Sequence, residues 1–427
     1  MLKFLDRFSL AALLVMPLFL MHGRAVADIL TSLIGLGFLA GCAWRHEWRW
    51  LRQGWVPVGL LWWGWLVVCS IPGIGAGGWL SLGYALAAVR FLVLVAALEQ
   101  RVLCPAATRR WLGRVLAACA LYIGLSALLQ FATGRDLVGW PRGPEGELTG
   151  PFQHPRAAAP LSRLLFPTLL PPVQRLLAGK LARRLGALLL AIASVGTIVL
   201  IGQRMPALLT VLGLLVSGVM LRRLRTTVLA ALAAGLLLLA ASAAVSPPVR
   251  YRLVTKFSAQ MRDFPDSDYG LIFGRAVVIA ERNPITGRGF GGFRNGCADP
   301  RTFVDPWIAS RHHADGGGSA ACNIHPHNHY LEAVTDSGLP GLVLFCLLVL
   351  AWLRGLLRGI GRDPDPLRVG LFVAALLQEW PLASTSSFYA IEIAGFFFVM
   401  LGWGLAEARY GRSSTAAISP SEGLPST

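Results

Sequence analysis

Twelve apolar segments fill most of this 427-residue chain, and no other feature limits its fold so strongly. They run near residues 8–22, 25–43, 55–71, 79–98, 112–132, 156–172, 186–201, 206–221, 226–245, 338–354, 368–384 and 389–406. Apart from the first, most can cross about 30 Å of hydrocarbon as a helix, some with helical extensions into the interface. A lipid-exposed strand edge cannot be tolerated, so the segments are expected to be helices. Composition agrees. Charged residues make up 14% of the chain, where a soluble domain carries about 25%. Residues of the AVILMFWYC set make up 55%, and mean hydropathy is +0.59. A soluble enzyme, a disordered chain and a disulfide scaffold are excluded. The fold class is an all-α polytopic membrane protein with about twelve transmembrane helices.

Net charge is +17, from 39 basic and 22 acidic residues. With the N-terminus in the cytoplasm, 22 Lys and Arg fall in cytoplasmic loops and termini and only five in the short outer loops. That asymmetry fixes an orientation with both termini inside. Most of the positive charge is thus topogenic, and nucleic acid is not an expected partner. Lys3 and Arg7, an apolar run and then Ala25-Val26-Ala27 could also read as a cleaved signal. A retained first helix is favoured, since multi-span chains seldom need a removable signal.

The chain divides into spans one to nine (1–245), an outer segment (246–337), spans ten to twelve (338–410) and a Gly/Ser/Pro-rich tail expected to be disordered (411–427). Within the outer segment, residues 246–330 hold ten basic residues, seven acidic ones and five of the eight His. A loop this long is usually functional, so the chemistry should lie there. Cys297 and Cys322 fall in it as well. In an oxidising compartment they form either a disulfide or two free, small side chains. Ser246 to Leu253, which opens the segment, reads either as an interfacial amphipathic stretch or as a linker.

His325-Pro326-His327-Asn328-His329 is the densest polar cluster. Pro326 suits a first helical turn, and Tyr330, Leu331 and Val334 carry a helix to Gly338-Leu339-Pro340-Gly341. His327 in that first turn would face the positive dipole end and stay neutral, able to accept a proton. Asn328 could fix its ring or bind a sugar hydroxyl. Three nearby His also allow a metal. Alternate helix positions point apart, however, and no HExxH-type spacing exists, which ranks that reading lower. His simply capping a helix at a membrane surface is the plainer alternative.

Arg204 stands at the N-terminus of the helix begun by Pro206, where a cation is electrostatically unwelcome unless an anion lies between. Snorkelling to headgroups explains it equally well. Leu271 to Asn283 reads as an outer helix ended by Pro284, with Arg275 and Arg282 on one face. The stretch 283–293 is rich in Gly, and its backbone amides could approach a phosphate or sugar, although such stretches are more often turns. Asp266 and Asp268 could hold a divalent cation or merely form a turn. Arg90 and Arg163 fall mid-span and Glu379 and Glu392 near outer span ends, where charges face a cavity or each other.

Taken in order, these motifs carry a resemblance. Gly150-Pro-Phe-Gln-His-Pro155 precedes a span, and Gln203-Arg204 caps an outer turn. Arg275 heads a helix into Asn283-Pro-Ile-Thr-Gly-Arg-Gly-Phe290, and His327-Asn-His-Tyr-Leu-Glu332 runs on to Gly338-Leu-Pro-Gly341. The set resembles the O-antigen ligase/polymerase family of bacterial inner-membrane glycosyltransferases, with Gln203 where the family commonly has Ser. The resemblance implies a GT-C-like helical fold and transfer at the periplasmic face without metal or cofactor. It implies an undecaprenyl-pyrophosphate-linked glycan as donor and, in a ligase, lipid A–core as acceptor, both met in membrane lipid. In a polymerase the acceptor is another lipid-linked glycan, and in a related branch a protein hydroxyl. His327 fits a base for the acceptor hydroxyl, and Arg204 and Arg275 fit the pyrophosphate. Arg288, Asn328, His325, His329, Arg142 and Glu379 are candidate substrate-binding residues. The long outer segment favours ligase over polymerase. A transporter or flippase fits less well, because the polar residues gather in one outer segment rather than at the midplane of two related halves.

Overall fold

A computed structural model describes residues 2–154, 156–245, 250–297, 299 and 323–411. Cys322, Pro155, residues 246–249 and the tail from 412 lie outside them. So do the expectations for the start of the amphipathic stretch, for the tail and for the Cys322 half of the disulfide. Cys297 is disulfide-bonded and fully buried.

Each of the twelve apolar segments coincides with a helix. They are α1 Leu2–His22, α2 Arg24–Arg45, α3 Val56–Cys69, α4 Gly78–Ala97, α5 Ala106–Thr133 and α6 Ala158–Leu177. Then come α7 Leu181–Ile201, α8 Arg204–Met220 and α9 Arg225–Val245. Three further helices follow: α10 Lys256–Arg262, α11 Asp268–Arg282 and the short α12 Gly292–Cys297. The chain ends with α13 His329–Leu357, α14 Pro366–Gln378 and α15 Ile391–Tyr410. Eight of these are long and apolar enough to cross a membrane. The protein is therefore a multi-pass membrane protein. Helices α3, α8 and α14 are shorter, at 14, 17 and 13 residues, or about 20–26 Å at 1.5 Å per residue. Helix α6 is interrupted by Pro167, Pro171 and Pro172 and carries Arg163 and Arg175. An expectation of twelve full spans is thus coarser in the structure: twelve helices, eight of spanning length and composition.

Local chemistry sets the ends. Gly134 and Gly202 close α5 and α7 at φ 84° and 76°, a conformation only glycine adopts freely. Asp365 caps α14, its carboxylate accepting from the Leu367 and Arg368 amides, with Pro366 at the first helical position. The hub is α15, whose residues 394–406 are buried on every side. Phe398 stacks on Phe91 of α4 at 4.7 Å, and Trp352 of α13 packs against both Phe397 and Phe398. A second core joins α6, α7, α8, α9 and α14. There α6 and α14 meet at Gly370, where a Cβ would lie 2.6 Å from the Phe166 carbonyl oxygen.

Of the charges expected in or near spans, Arg90 and Glu392 form ion pairs, whereas buried Arg163 donates to Ala159 and Ser162 of its own helix. Arg90 binds Asp28 through both carboxylate oxygens, at 2.8 and 3.4 Å, and Arg156 pairs with Glu392. Two boundaries differ from expectation. The run 368–384 stops being helical at Gln378, because Pro381 cannot continue the helix, and residues 379–390 form an irregular loop. The helix expected to stop at Gly338 instead kinks there and runs on into the next span. Ser337 (φ −139°, ψ 16°) and Gly338 (φ 67°, ψ −171°) mark the kink, at the expected domain boundary.

Candidate active site

The loop 379–390 lies along the first two turns of α13 and is strapped to nearly every residue there. The Thr385 amide donates to the His327 carbonyl at 2.8 Å. Asn328 Nδ2 donates to the Pro381 and Ala383 carbonyls at 2.8 and 3.2 Å. His329 Nε2 donates to the Ser386 carbonyl at 3.1 Å, and Tyr330 Oη to the Glu379 carbonyl at 2.7 Å. The Glu332 carboxylate accepts from the Ser387 hydroxyl at 2.5 Å and the Phe388 amide at 2.8 Å. Sequence reasoning missed this loop, because its apolar residues made it look like the end of a span. It missed Glu332 too, whose only signal was its position one turn after His329.

Helix α13 starts at His329, three residues after Pro326. Asn328 is the N-cap, its Oδ1 accepting from the Tyr330 and Leu331 amides at 3.0 and 3.1 Å. The dipeptide geometry explains this start. His325 Nδ1 accepts from the His327 amide at 3.2 Å, which turns the chain before the helix can begin. His327 therefore stands just outside the helix at φ 54°, a left-handed conformation costing a non-glycine residue about 1–3 kcal/mol. The strain is held by the strap to Thr385.

Around His327 are His325, at 4.3 Å between ring centroids, and Tyr269 from the first turn of α11, edge-on at 5.9 Å. Asn323 Nδ2 lies 3.0 Å from His327 Nε2. With the amide donating, Nε2 is the lone-pair nitrogen and Nδ1 carries the proton. Burial lowers the pKa of His327, against a smaller raising effect of the Thr385 backbone on the ring, so the ring is neutral at neutral pH. Burial, with His327 and His329 adding repulsion, lowers His325 to about 3.

The neighbours read as substrate-binding have other partners. Both hydrogens of Asn328 Nδ2 and both lone pairs of Oδ1 are spent on backbone, leaving none for a sugar or the His327 ring. His329 is buried with both nitrogens committed, Nδ1 facing Glu379 Oε2 at 2.9 Å. Glu379 Oε1 has no hydrogen-bond partner among the described residues. Arg163, buried in α6, is within electrostatic reach of Glu379. Arg142 donates to the Phe131 and Gln130 carbonyls at 2.6 and 3.4 Å, so its guanidinium caps the end of α5.

The Gly-rich stretch is also spent internally. Its amides at 288 and 289 donate to the Thr335 and Asp336 carbonyls of the kink, both at 2.9 Å. The Phe290 amide donates to Ser70 Oγ at 2.9 Å and that of Gly292 to Asp336 Oδ1 at 2.8 Å. At Gly292 a Cβ would lie 2.2 Å from the Thr335 oxygen, so glycine serves close backbone packing rather than a cradle for phosphate.

Three arginines remain. Arg204 opens α8 half-buried and donates to Gln260 Oε1 of α10. The chain runs from α10 through a turn at Phe264–Asp266 into α11, whose first turn meets His327. Arg275, further along α11, is buried and donates to the Cys297 carbonyl at 2.8 Å. Arg282 is exposed, so the two do not share an environment although seven residues apart. Arg288 donates to the Asn295 carbonyl at 3.2 Å, and its buried Nε has no partner among the described residues. The segment from α10 through α11 thus links Arg204 and Arg275 to His327. Asp268 is exposed in the first turn of α11.

Residues 188–346 match the family model described as O-antigen ligase. The match includes Arg204, Arg275, Arg288 and the whole His cluster. No curated protein matches the chain.

Proposed function

From the match of residues 188–346 to the family model described as O-antigen ligase, we propose that the chain is an O-antigen ligase/polymerase-type membrane enzyme and, within that type, the ligase. It transfers a glycan from undecaprenyl pyrophosphate to a sugar hydroxyl of lipid A–core. The reaction takes place at the periplasmic face of the bacterial inner membrane, with both termini cytoplasmic and twelve helices in a GT-C-like arrangement. The orientation is supported by the basic loops, and the helix count by the coincidence of every apolar segment with a helix.

The observation that carries the chemistry is His327, a neutral imidazole held in a strained backbone outside its helix, with a lone pair at Nε2. The acceptor hydroxyl displaces Asn323 and gives its proton to Nε2 as its oxygen attacks the anomeric carbon. The new bond joins that oxygen to the anomeric carbon. The bond broken joins the same carbon to pyrophosphate, and the lipid pyrophosphate leaves with the electron pair. A single displacement inverts the centre. Arg204, Arg275 and Arg288 offset the departing charge, which a guanidinium does bidentately and without losing its own. The strap from loop 379–390 keeps His327 in place, so Asn328, His329, Glu332 and Glu379 act as positioning residues.

The test is transfer to lipopolysaccharide lacking O-antigen, by the purified chain in EDTA. Transfer that survives EDTA supports cation-only neutralisation. Transfer lost to EDTA and restored by Mg²⁺ or Mn²⁺ would assign the pyrophosphate to a metal. Longer lipid-linked chains with nothing on lipopolysaccharide would make the enzyme a polymerase.

A further inference from the structure

A cavity of about 830 Å³ opens at the opposite end of the bundle. Helix α15 connects the two places. It begins beside the His329 strap and carries Arg409 into the cavity at its other end. Its 20 residues separate them by about 30 Å. The cavity is therefore distinct from the candidate active site, and no step proposed above uses it.

Its floor is apolar and its rim cationic. Phe38 and Trp50 meet edge-to-face at 5.1 Å on the floor, flanked by Leu10 and Val102. Trp50 is 7% exposed, and its indole Nε1–H has no oxygen or nitrogen acceptor, only the weak acceptor sulfur of Cys42 beside it. A buried donor left without a strong acceptor is unfavourable unless a ligand supplies one.

The rim holds five arginines against two carboxylates. Arg101 is satisfied by Asp6, at 2.5 and 3.1 Å, and Arg409 by Gln53 and Glu99, at 2.9 and 3.5 Å. Arg45 stands 4.0 Å from a largely exposed Glu47, an ion pair that water screens. Arg7 and Arg49 make no ion pair among the described residues. Trp44, Trp48 and Phe4, within two residues of lining residues, stand exposed, as aromatics do at headgroup depth.

An apolar floor, a surplus of guanidinium and a mouth at the interface suit one chemistry, an acyl-chain-bearing phosphate. We propose that this cavity binds the phosphate headgroup of an anionic phospholipid from the leaflet facing the basic loops, held by Arg7 and Arg49.

Thermal unfolding of the full chain in neutral detergent tests this, with dioctanoyl phosphatidylglycerol, dioctanoyl phosphatidylcholine or inorganic phosphate as the added probe. The expected result is a saturable rise in the unfolding midpoint with phosphatidylglycerol alone. Arg7→Gln/Arg49→Gln should weaken that binding roughly a hundredfold, about tenfold for each charge-assisted hydrogen bond removed. Both side chains are exposed, so the fold should survive. Trp50→Phe gives a second, milder weakening. Arg222→Gln/Arg223→Gln, basic residues of another loop at the same end, should leave binding unchanged. An equal loss in that control would mean general surface charge and overturn the site. An equal rise with inorganic phosphate would overturn the lipid assignment, and equal rises with both lipids would overturn the anionic selection.

Discussion

Asn328 is the residue whose replacement separates helix capping from the strap over the active site. Its Oδ1 caps α13 and its Nδ2 holds two carbonyls of loop 379–390, all within 3.2 Å. Asn328→Ala removes both. Losing the cap costs about 1 kcal/mol. Losing the bonds to the Pro381 and Ala383 carbonyls costs about 1 kcal/mol each, for a total of roughly 3 kcal/mol. Asn328→Asp keeps the cap, since a carboxylate accepts the same two amides and suits the helix N-terminus. It loses both donors and sets a negative charge against the Pro381 and Ala383 carbonyls, so roughly 2 kcal/mol should go from the strap alone. Because the Thr385 amide that holds the His327 carbonyl lies in the same loop, Asn328→Asp should lower kcat more than it raises KM. Thermal unfolding of the detergent-purified chain reads the first effect, and initial rates of transfer read the second. If Asn328→Asp unfolds and turns over like the wild type while Asn328→Ala does not, only the cap matters and the strap is no part of the site.

Further expectations rest on separate observations. Burial lowers the His327 pKa below its usual 6.5, so log(kcat/KM) should stay level down through pH 6.5 and fall only at more acid pH. An acid limb centred above 6.5 would contradict a desolvated base. His325, lowered to about 3, binds its proton more weakly folded than unfolded, so stability should decline as pH falls from 6.5 towards 3. The loss reaches about 2 kcal/mol at pH 5, measured by denaturation, and His325→Leu should remove that slope. Arg275→Lys keeps the charge but not the fork, and should cut kcat/KM by roughly tenfold to a hundredfold with the fold intact by thermal unfolding. Gly338→Ala should fail to accumulate as folded protein, since its φ is 67° and a Cβ would lie 2.2 Å from the Ile285 oxygen. Normal expression and melting would refute the kink as a fixed element.

Much of the helical framework was legible because lipid leaves the backbone no alternative and Lys and Arg mark the loops. The His cluster was legible because polar residues are scarce in this chain. What was hidden depends on packing across long sequence separations. An apolar run with one Pro381 could be a span or a loop, and only docking against residues 327–332 decides. Asn328 had the chemistry of a sugar ligand until its four bonding positions proved filled by backbone. The Gly-rich stretch 283–293 could have approached a phosphate or merely formed turns. Its amides at 288, 289 and 292 instead meet the Thr335 and Asp336 carbonyls and the Asp336 carboxylate, beside a kink whose backbone course the sequence does not specify. Arg142 carries a charge that suits an anion, yet the turn after α5 brings it back onto that helix's carbonyl end.

The central claim is that a neutral His327, held outside its helix, takes the proton of a lipid A–core hydroxyl. The most direct test runs wild type and His327→Ala side by side in EDTA, with purified protein, lipid-linked glycan and lipopolysaccharide lacking O-antigen. Thermal unfolding is measured on both. Polymer on lipopolysaccharide from the wild type alone, with equal melting of the two proteins, is the predicted result. Equal transfer by the variant would contradict it and place the base elsewhere.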